Sequence, residues 1–420
     1  MKVVHCSNGI STSSAVTKLH RALLKQGVDS RVLTLSNKDG IENVRELSFY
    51  GAARVCHSLH ARITSKLVYQ RYDMNKGVPF WLGNVGYNIT GDEWIKEADI
   101  IHLHWVSGNF LSFKNINQLL KLNKPIVWTL HDSWPLTGGC HVRLGCERFR
   151  KGCGECPVLK SDDAHDVSYQ VMKAKKRLFL KQNLIFIAPS TWMYENIKSS
   201  TIFNEIMAYH IPNGLDTTIF KKYEKNEVET NLEYIQTGKI NILFGATAAL
   251  ETVYKGYNFL KEALLIIKKN HSEIAQKIVL HFFGCDSVED EELSTFQVKC
   301  WGTVKDPKRL AYIYNLADLY AFPSIDDNLP STVMESLACA TPLVTFETGG
   351  IPDMVIHKEN GYVAKYKDVE DFARGILWTL EHNTHNELGG YGEEFVETHY
   401  NEALITRQHI ELYNHLKDNL

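Results

Sequence analysis

No run of apolar residues in this 420-residue chain approaches the ~20 that a membrane-crossing helix needs. Met1 to Cys6 leads directly into a strand, with no long apolar region behind a basic start, so neither a leader nor an anchor is expected. Neither sign of charge prevails, since 46 Lys and Arg meet 49 Asp and Glu, and a basic footprint for nucleic acid is missing. Proline is sparse at 11 residues, and no repeat or low-complexity tract occurs, which argues against solenoids and long linkers. The expectation is a compact, cytoplasmic, non-spanning protein without a nucleic-acid partner. Its length exceeds one ordinary core and suits two α/β domains of about 200 residues each.

What the chain does have is a dense segment from Leu316 to Ala364. A buried strand, Leu319 to Phe322, runs into Pro323-Ser324, an acidic loop, and a helix that Pro330 is suited to open. Amide N–H groups and the positive end of the helix dipole gather at that start, which favours an anion such as a diphosphate. Seven residues separate Asp327 from Glu335, one in the loop and one inside the helix. Two carboxylates would repel a phosphate, but they suit hydroxyl groups on either side of it: a ribose diol at Glu335 and a sugar hydroxyl at Asp327. The plainer alternative is an amphipathic helix with a capping acid.

The segment resembles the donor-site motif of the retaining GT-B glycosyltransferases of family 4, including those of exopolysaccharide and colanic-acid type. There an acid, seven residues and a Glu precede a small-residue helix, a Pro-Leu-Val strand and a Gly-Gly loop. Here these read Asp327 to Glu335, Leu337 to Ala340, Pro342-Leu343-Val344 and Gly349-Gly350. The family usually places Glu at the first acidic position, and Asp327 reaches one methylene less far. The resemblance implies an α/β GT-B fold: two Rossmann-like, doubly wound domains facing across a cleft. It divides the chain into an acceptor-side domain 1–215 with a cysteine-rich insert at 138–160, a nucleotide-sugar domain 216–390, and a C-terminal helix 391–420 that crosses back to the first domain. It further implies transfer of a sugar from a nucleoside diphosphate sugar to a hydroxyl of a glycan or lipid-linked glycan, with retention and without a catalytic metal.

Departure of a diphosphate builds negative charge, and Lys255-Gly256 matches the family's donor-phosphate lysine, so Lys255 is the expected electrostatic catalyst. Backbone around Gly245, Asn328, Leu329, Ser331 and Thr332 is expected to hold the donor phosphates. The strands ending at Gly284 and Gly302 would approach the nucleobase. The family often adds an Arg shortly upstream of the lysine. No Arg occurs from Asn241 to Lys308, and Ala246 stands where one is expected.

In the first half, Lys2 to His5, a polar loop and a helix from about Ala15 form a βαβ opening. The loop supplies Gly9 and Ser11 to a weak anion or sugar site, or simply to a capped helix start. Two apolar strands end in His102-Leu103-His104 and His131-Asp132, on the side where parallel sheets bind ligands, so both polar clusters should share one crevice. By resemblance His131 meets the donor sugar or acceptor; His104 is the weaker candidate. Residues 49–73 alternate apolar and basic positions as a basic amphipathic helix does, either a solvated face or a peripheral contact with the inner membrane surface.

Nine cysteines are present. Cys6, Cys56, Cys285, Cys300 and Cys339 are scattered in strand- and helix-like settings where cysteine packs as a small buried residue. Cys140, Cys146, Cys153 and Cys156 instead cluster, with five, six and two residues between them. This pattern suits four thiolate ligands of a structural zinc, with free thiols the main rival and two disulfides less suited to a reducing compartment. Two rival functions stand beside the transferase: a sugar-nucleotide epimerase, and a non-catalytic subunit that binds glycan or a partner.

Overall fold

A computed structural model describes residues 1–47, 78–179, 183–234, 237–245, 252–383 and 386–419, with 59, 62, 63, 66, 68, 71, 72 and 250. Contacts divide the chain into two units, Met1–Pro212 with Ile405–Leu420, and Asn213–Leu404.

The first unit is built on a seven-stranded sheet of β1 (Lys2–Ser7), β2 (Asp29–Thr34), β3 (Val44–Glu46), β4 (Ile100–Leu103), β5 (Ile126–Thr129), β6 (Leu184–Ala188) and β7 (Met207–His210), in the order β3-β2-β1-β4-β5-β6-β7. Every neighbouring pair is parallel. Such a sheet is covered on both faces, which is why β4, β5 and β6 are buried at every residue and read as continuous apolar runs. The order steps outward in both directions from β1, so the chain reverses between β1 and β4, where such sheets carry their crevice. The last helix, Glu402–Asn419, supplies Ile405, Leu412, Tyr413 and Leu416 to the core over Val3, Ile100, Val127 and Ile185.

The second unit repeats the plan with six strands: β8 (Ile240–Gly245), β9 (Ile278–Phe283), β10 (Gln297–Cys300), β11 (Leu319–Phe322), β12 (Leu343–Phe346) and β13 (Gly361–Ala364). Their order is β10-β9-β8-β11-β12-β13, all parallel, with the switch between β8 and β11. The doubly wound α/β class expected from the sequence is thus observed in both units. Two boundaries differ from the expectation: the first junction falls after Pro212 and not after 215, and the second is shifted further. Val396 and Tyr400 pack in the second unit's core beside Leu337 and Val355, so the chain leaves that unit after Leu404 and not at 391.

Candidate active site

The second unit gathers its candidate residues along the carboxyl ends of the strands. The helix Ser331–Ala338 follows β11, with Pro330 as its N-cap, which makes no side-chain cap bond. Ahead of it the loop is clamped from three sides. Ile325 N–H donates to Tyr254 O at 2.9 Å, Thr348 Oγ1 to Ile325 O at 3.1 Å, and Gly350 N–H to Asp327 O at 3.2 Å. The Gly-Gly loop is therefore a buttress for the Asp327 loop. Gly284 and Gly302 also meet, the amide of the first donating to the carbonyl of the second at 2.8 Å. Gly245 ends β8 and accepts from the Tyr320 hydroxyl at 2.6 Å. Asn328 and Leu329 are buried beside these, and Ser331 and Thr332 lie half-buried at the helix start.

Lys255 closes a short 3-10 turn, Val253–Lys255, and its ammonium lies 2.5 Å from Asp327 Oδ2. The sequence suggested separate duties for these two residues, phosphate and sugar; the fold makes them partners. Burial alone would lower the Lys255 pKa, but attraction to Asp327 and the hydrogen bond that the ammonium donates to it outweigh burial and raise it, so the amine is firmly charged. Gly256, with φ +80°, makes the approach possible, because a Cβ there would lie 1.9 Å from Pro323 O. Glu335 is only 4% exposed, and its Oε2 accepts from the Tyr314 hydroxyl at 3.2 Å. A buried carboxylate is kept by such donors.

In the first unit the two histidine clusters do share one place. His104 Nδ1 is hydrogen-bonded to His131 Nε2 at 2.9 Å, and His104 Nε2 to His5 Nδ1 at 2.9 Å. His102 lies beside them, its ring nitrogens bonded to the Tyr413 hydroxyl at 2.6 Å and Thr129 Oγ1 at 2.7 Å. Burial pushes the pKa of His5, His102 and His104 well below the ordinary value; it lowers that of His131 to about 4, although Asp132 pulls the other way. These rings are neutral at pH 7. His5, His102 and His104 can each offer a nitrogen within 4.8 Å of the others, the one such group among the described residues. Hydrogen bonds already engage both nitrogens of His102 and of His104, which is why the trio is better described as a bonded polar layer than as a metal centre.

Gly9 and Ser11 fall in the loop after β1, with Ser11 exposed. Asp39 accepts from the Thr12 amide at 2.8 Å and from its hydroxyl at 3.1 Å, so a carboxylate occupies one donor position of the expected anion site. Most of the basic helix expected at 49–73 lies outside the described residues, as does Ala246; the helix's described positions 59, 62, 63, 66, 68 and 71 are helical, with Leu59 and Ile63 exposed. Among the described residues no helix is long and apolar enough to cross a membrane.

The four clustered cysteines line one small cavity of about 20 Å³ together with Arg143, Arg148 and Phe149. Gly138 N–H donates to Cys153 Sγ at 3.3 Å, and backbone amides of Val158 and Leu159 bond Cys156. The thiols of Cys140 and Cys156 are hydrogen-bonded, and chiefly through that bond the Cys156 pKa falls to about 7. Cys153 is driven by burial up to about 12. Among the described residues no three of these sulfurs lie within 4.8 Å of one another, so the donor set is right for zinc but not drawn together.

Sequence reasoning passed over three contributors. Tyr314 holds Glu335, the His5–His102 layer supports His131, and the buried Lys175 donates to the carbonyls of Trp134 and Thr137, with burial taking its pKa to about 7. For the histidines a signal existed: His102 and His104 alternate on one face of a strand.

Comparison with known proteins follows the same division. Residues 12–219 match the family model described as Glycosyltransferase Family 4, and residues 236–395 the model described as Glycosyl transferases group 1. The putative colanic acid biosynthesis glycosyl transferase WcaC of Escherichia coli is 25% identical over 329 residues, 72% of this chain and 75% of that protein. An uncharacterized glycosyltransferase of Haemophilus influenzae is 26% identical over 317 residues, covering 73% of this chain and 74% of its own. Among solved structures, sucrose-phosphate synthase from Thermosynechococcus elongatus superposes with a TM-score of 0.66 at 16% identity, over 99% of both chains. Anabaena Alr3699/HepE in complex with UDP-glucose does so with a TM-score of 0.65 at 14% identity, over 99% of this chain and 100% of that one.

Proposed function

We propose that this chain, which belongs to the GT-B glycosyltransferases of family 4, moves a sugar from a nucleoside diphosphate sugar to a hydroxyl of a glycan or lipid-linked glycan, with retention. The observation that carries the reading is the Lys255–Asp327 pair beside the start of the helix that bears Glu335. On donor binding, the Lys255 ammonium and the amides from Leu329 to Thr332 neutralise the charge that grows on the departing diphosphate. Asp327, held by the same lysine, accepts from a sugar hydroxyl, and Glu335 accepts from the ribose. The bond from the anomeric carbon to the phosphate oxygen breaks and one to the acceptor oxygen forms on the same face, while the acceptor proton passes to the leaving phosphate oxygen. These steps need neither a catalytic metal nor a protein base. The relatives named for colanic acid biosynthesis and for a UDP-glucose complex support a cell-surface polysaccharide and make uridine diphosphate the first probe.

The test is thermal unfolding in EDTA with UDP, GDP and ADP and their glucose conjugates. A ligand at a hundred times its Kd adds about 2.7 kcal/mol, so one nucleotide series should raise Tm in the wild type. Glu335→Ala should abolish the rise and Lys255→Ala should reduce it. No response from any nucleotide would favour the non-catalytic subunit; donor consumption without an acceptor would favour the epimerase.

We further propose that Cys140, Cys146, Cys153 and Cys156 take a structural zinc. Amides aimed at two of the sulfurs favour thiolates, and all four cysteines line one cavity of about 20 Å³. Protein purified without chelator should carry one zinc per chain by elemental analysis, lost in Cys153→Ser. Four thiols that react freely in metal-free, fully stable protein would sink this assignment.

A further inference from the structure

Trp105 is the one tryptophan among the described residues that is more than a third exposed, at 41%. It stands two residues beyond the carboxyl end of β4, beside the β1–β4 reversal where such sheets carry their crevice. Its backbone is fixed. The Asn8 amide, just past β1, donates to Trp105 O at 2.8 Å, and the Asn8 side chain donates to the carbonyls of Ser107 and Gly108 at 3.0 and 3.3 Å. Gly108, at φ +67°, has no room for a Cβ, which would lie 2.1 Å from Asn8 Nδ2. The indole also packs on the His141 ring, 5.8 Å between centroids, and that ring is stacked on the buried Trp134. A large apolar face is thus held open to solvent in a preset orientation, so a ligand that covers it gains burial at little cost in ordering.

The rim of this face is polar. Asp132 Oδ2 lies 2.7 Å from His141 Nδ1, and Trp105 Nε1 lies 3.3 Å from the same atom. A ring nitrogen either carries a proton or offers a lone pair, and cannot serve both neighbours. The shorter, charge-assisted contact places the proton on Nδ1, donated to Asp132. The other end of the ring agrees: His141 Nε2 is buried without a partner, which suits a lone pair better than an N–H. The Trp105 N–H is therefore left for another acceptor, and it stands beside a carboxylate whose side chain is still 23% exposed. A donor and an acceptor side by side match a hydroxyl, which is both. We infer that Trp105 and Asp132 form a subsite for one pyranose ring of a glycan: the C–H face of the ring lies on the indole, and one of its hydroxyls donates to Asp132 and accepts from Trp105 Nε1–H. A nucleotide fits less well, since its phosphates would meet the Asp132 charge. The binding of the ring is independent of the reaction. That the ring belongs to the acceptor rests on the transferase reading, with His131 next to Asp132 in the chain.

The experiment reads the indole proton–nitrogen signals of the full chain labelled with ¹⁵N-tryptophan, Trp105 being identified by the signal missing from Trp105→Phe. The probes are the methyl pyranosides of glucose, galactose, mannose and fucose, with glycerol, which has hydroxyls but no ring face, and UDP. At least one pyranoside should move the Trp105 signal saturably, while glycerol and UDP leave it in place. Followed by saturation transfer to the C–H protons of that sugar, affinity should fall about tenfold in Trp105→Ala and less steeply in Asp132→Asn. A Trp105 signal that no pyranoside moves, or that glycerol or UDP moves equally, overturns the inference, as does full affinity in Trp105→Ala. The wild-type spectrum decides even if the variants unfold. A nucleotide that raises Tm beside a silent Trp105 overturns this subsite alone; a Trp105 that answers a pyranoside in a chain that answers no nucleotide keeps the subsite and removes the transfer.

Discussion

A Cβ added at Gly349 would lie 1.7 Å from the Asp327 carbonyl oxygen, at a φ of +56° where side chains are strained. Gly349→Ala must therefore push the Asp327 loop away from Lys255. Backbone strain of this kind costs about 1–3 kcal/mol, and the overlap adds to it. The expected outcome is a lower urea midpoint together with weakened nucleotide binding; a variant with wild-type stability and binding would show that the Gly-Gly loop does not support the acid. At this scale the sequence was partly legible. The acid pair, Lys255 and the glycines stood out because their residue types and spacing are themselves chemical statements. The Tyr314 contact to Glu335 did not, since a tyrosine in a helix pattern reads as packing, and only its neighbour across the core makes it a donor.

The imidazole layer over β1, β4 and β5 belongs to the scale of elements. The rings of His5, His102 and His104 have depressed pKa values through burial, and those of His131 and His409 fall to about 4 for the same reason. The unfolded chain takes up protons near pH 6.5 that the folded chain refuses until about 4. The contribution of these rings to stability is thus full above about pH 6.5 and drains away as pH falls from there towards about 4, by about 1.4 kcal/mol per pH unit for each ring. Asp99, Asp290 and Asp371, whose pKa values are lowered in the fold, lose their contribution only at more acid pH, so the window belongs to the histidines. Urea unfolding should show a midpoint that drops between pH 7 and pH 5, with a shallower drop in His409→Leu. A flat profile would mean that these rings are protonated in the fold. The strands themselves were readable as apolar runs, and β11 matches its expected bounds. The polar layer was not, because a histidine inside an apolar strand does not announce which neighbours its sheet order will bring.

For the whole molecule, the doubly wound plan places each unit's candidate residues at strand carboxyl ends, and the groups proposed for the donor nucleotide, Lys255, Glu335 and the amides from Leu329 to Thr332, all belong to the second unit. Uridine diphosphate should accordingly slow amide exchange at Tyr254 to Gly256 and Asp327 to Thr332 while leaving the β1, β4 and β5 ends unchanged; protection confined to the first unit would move the donor site. By itself the sequence determined the alternation of strands and helices, the absence of charge bias, the acid pair and the four spaced cysteines, because periodicity and residue type are local properties. Tertiary structure alone decided that Lys255 meets Asp327, 72 residues away, and that His5 meets His104, 99 residues away. The order of strands sets those meetings, and that order follows from how buried faces pack, which no window of sequence contains.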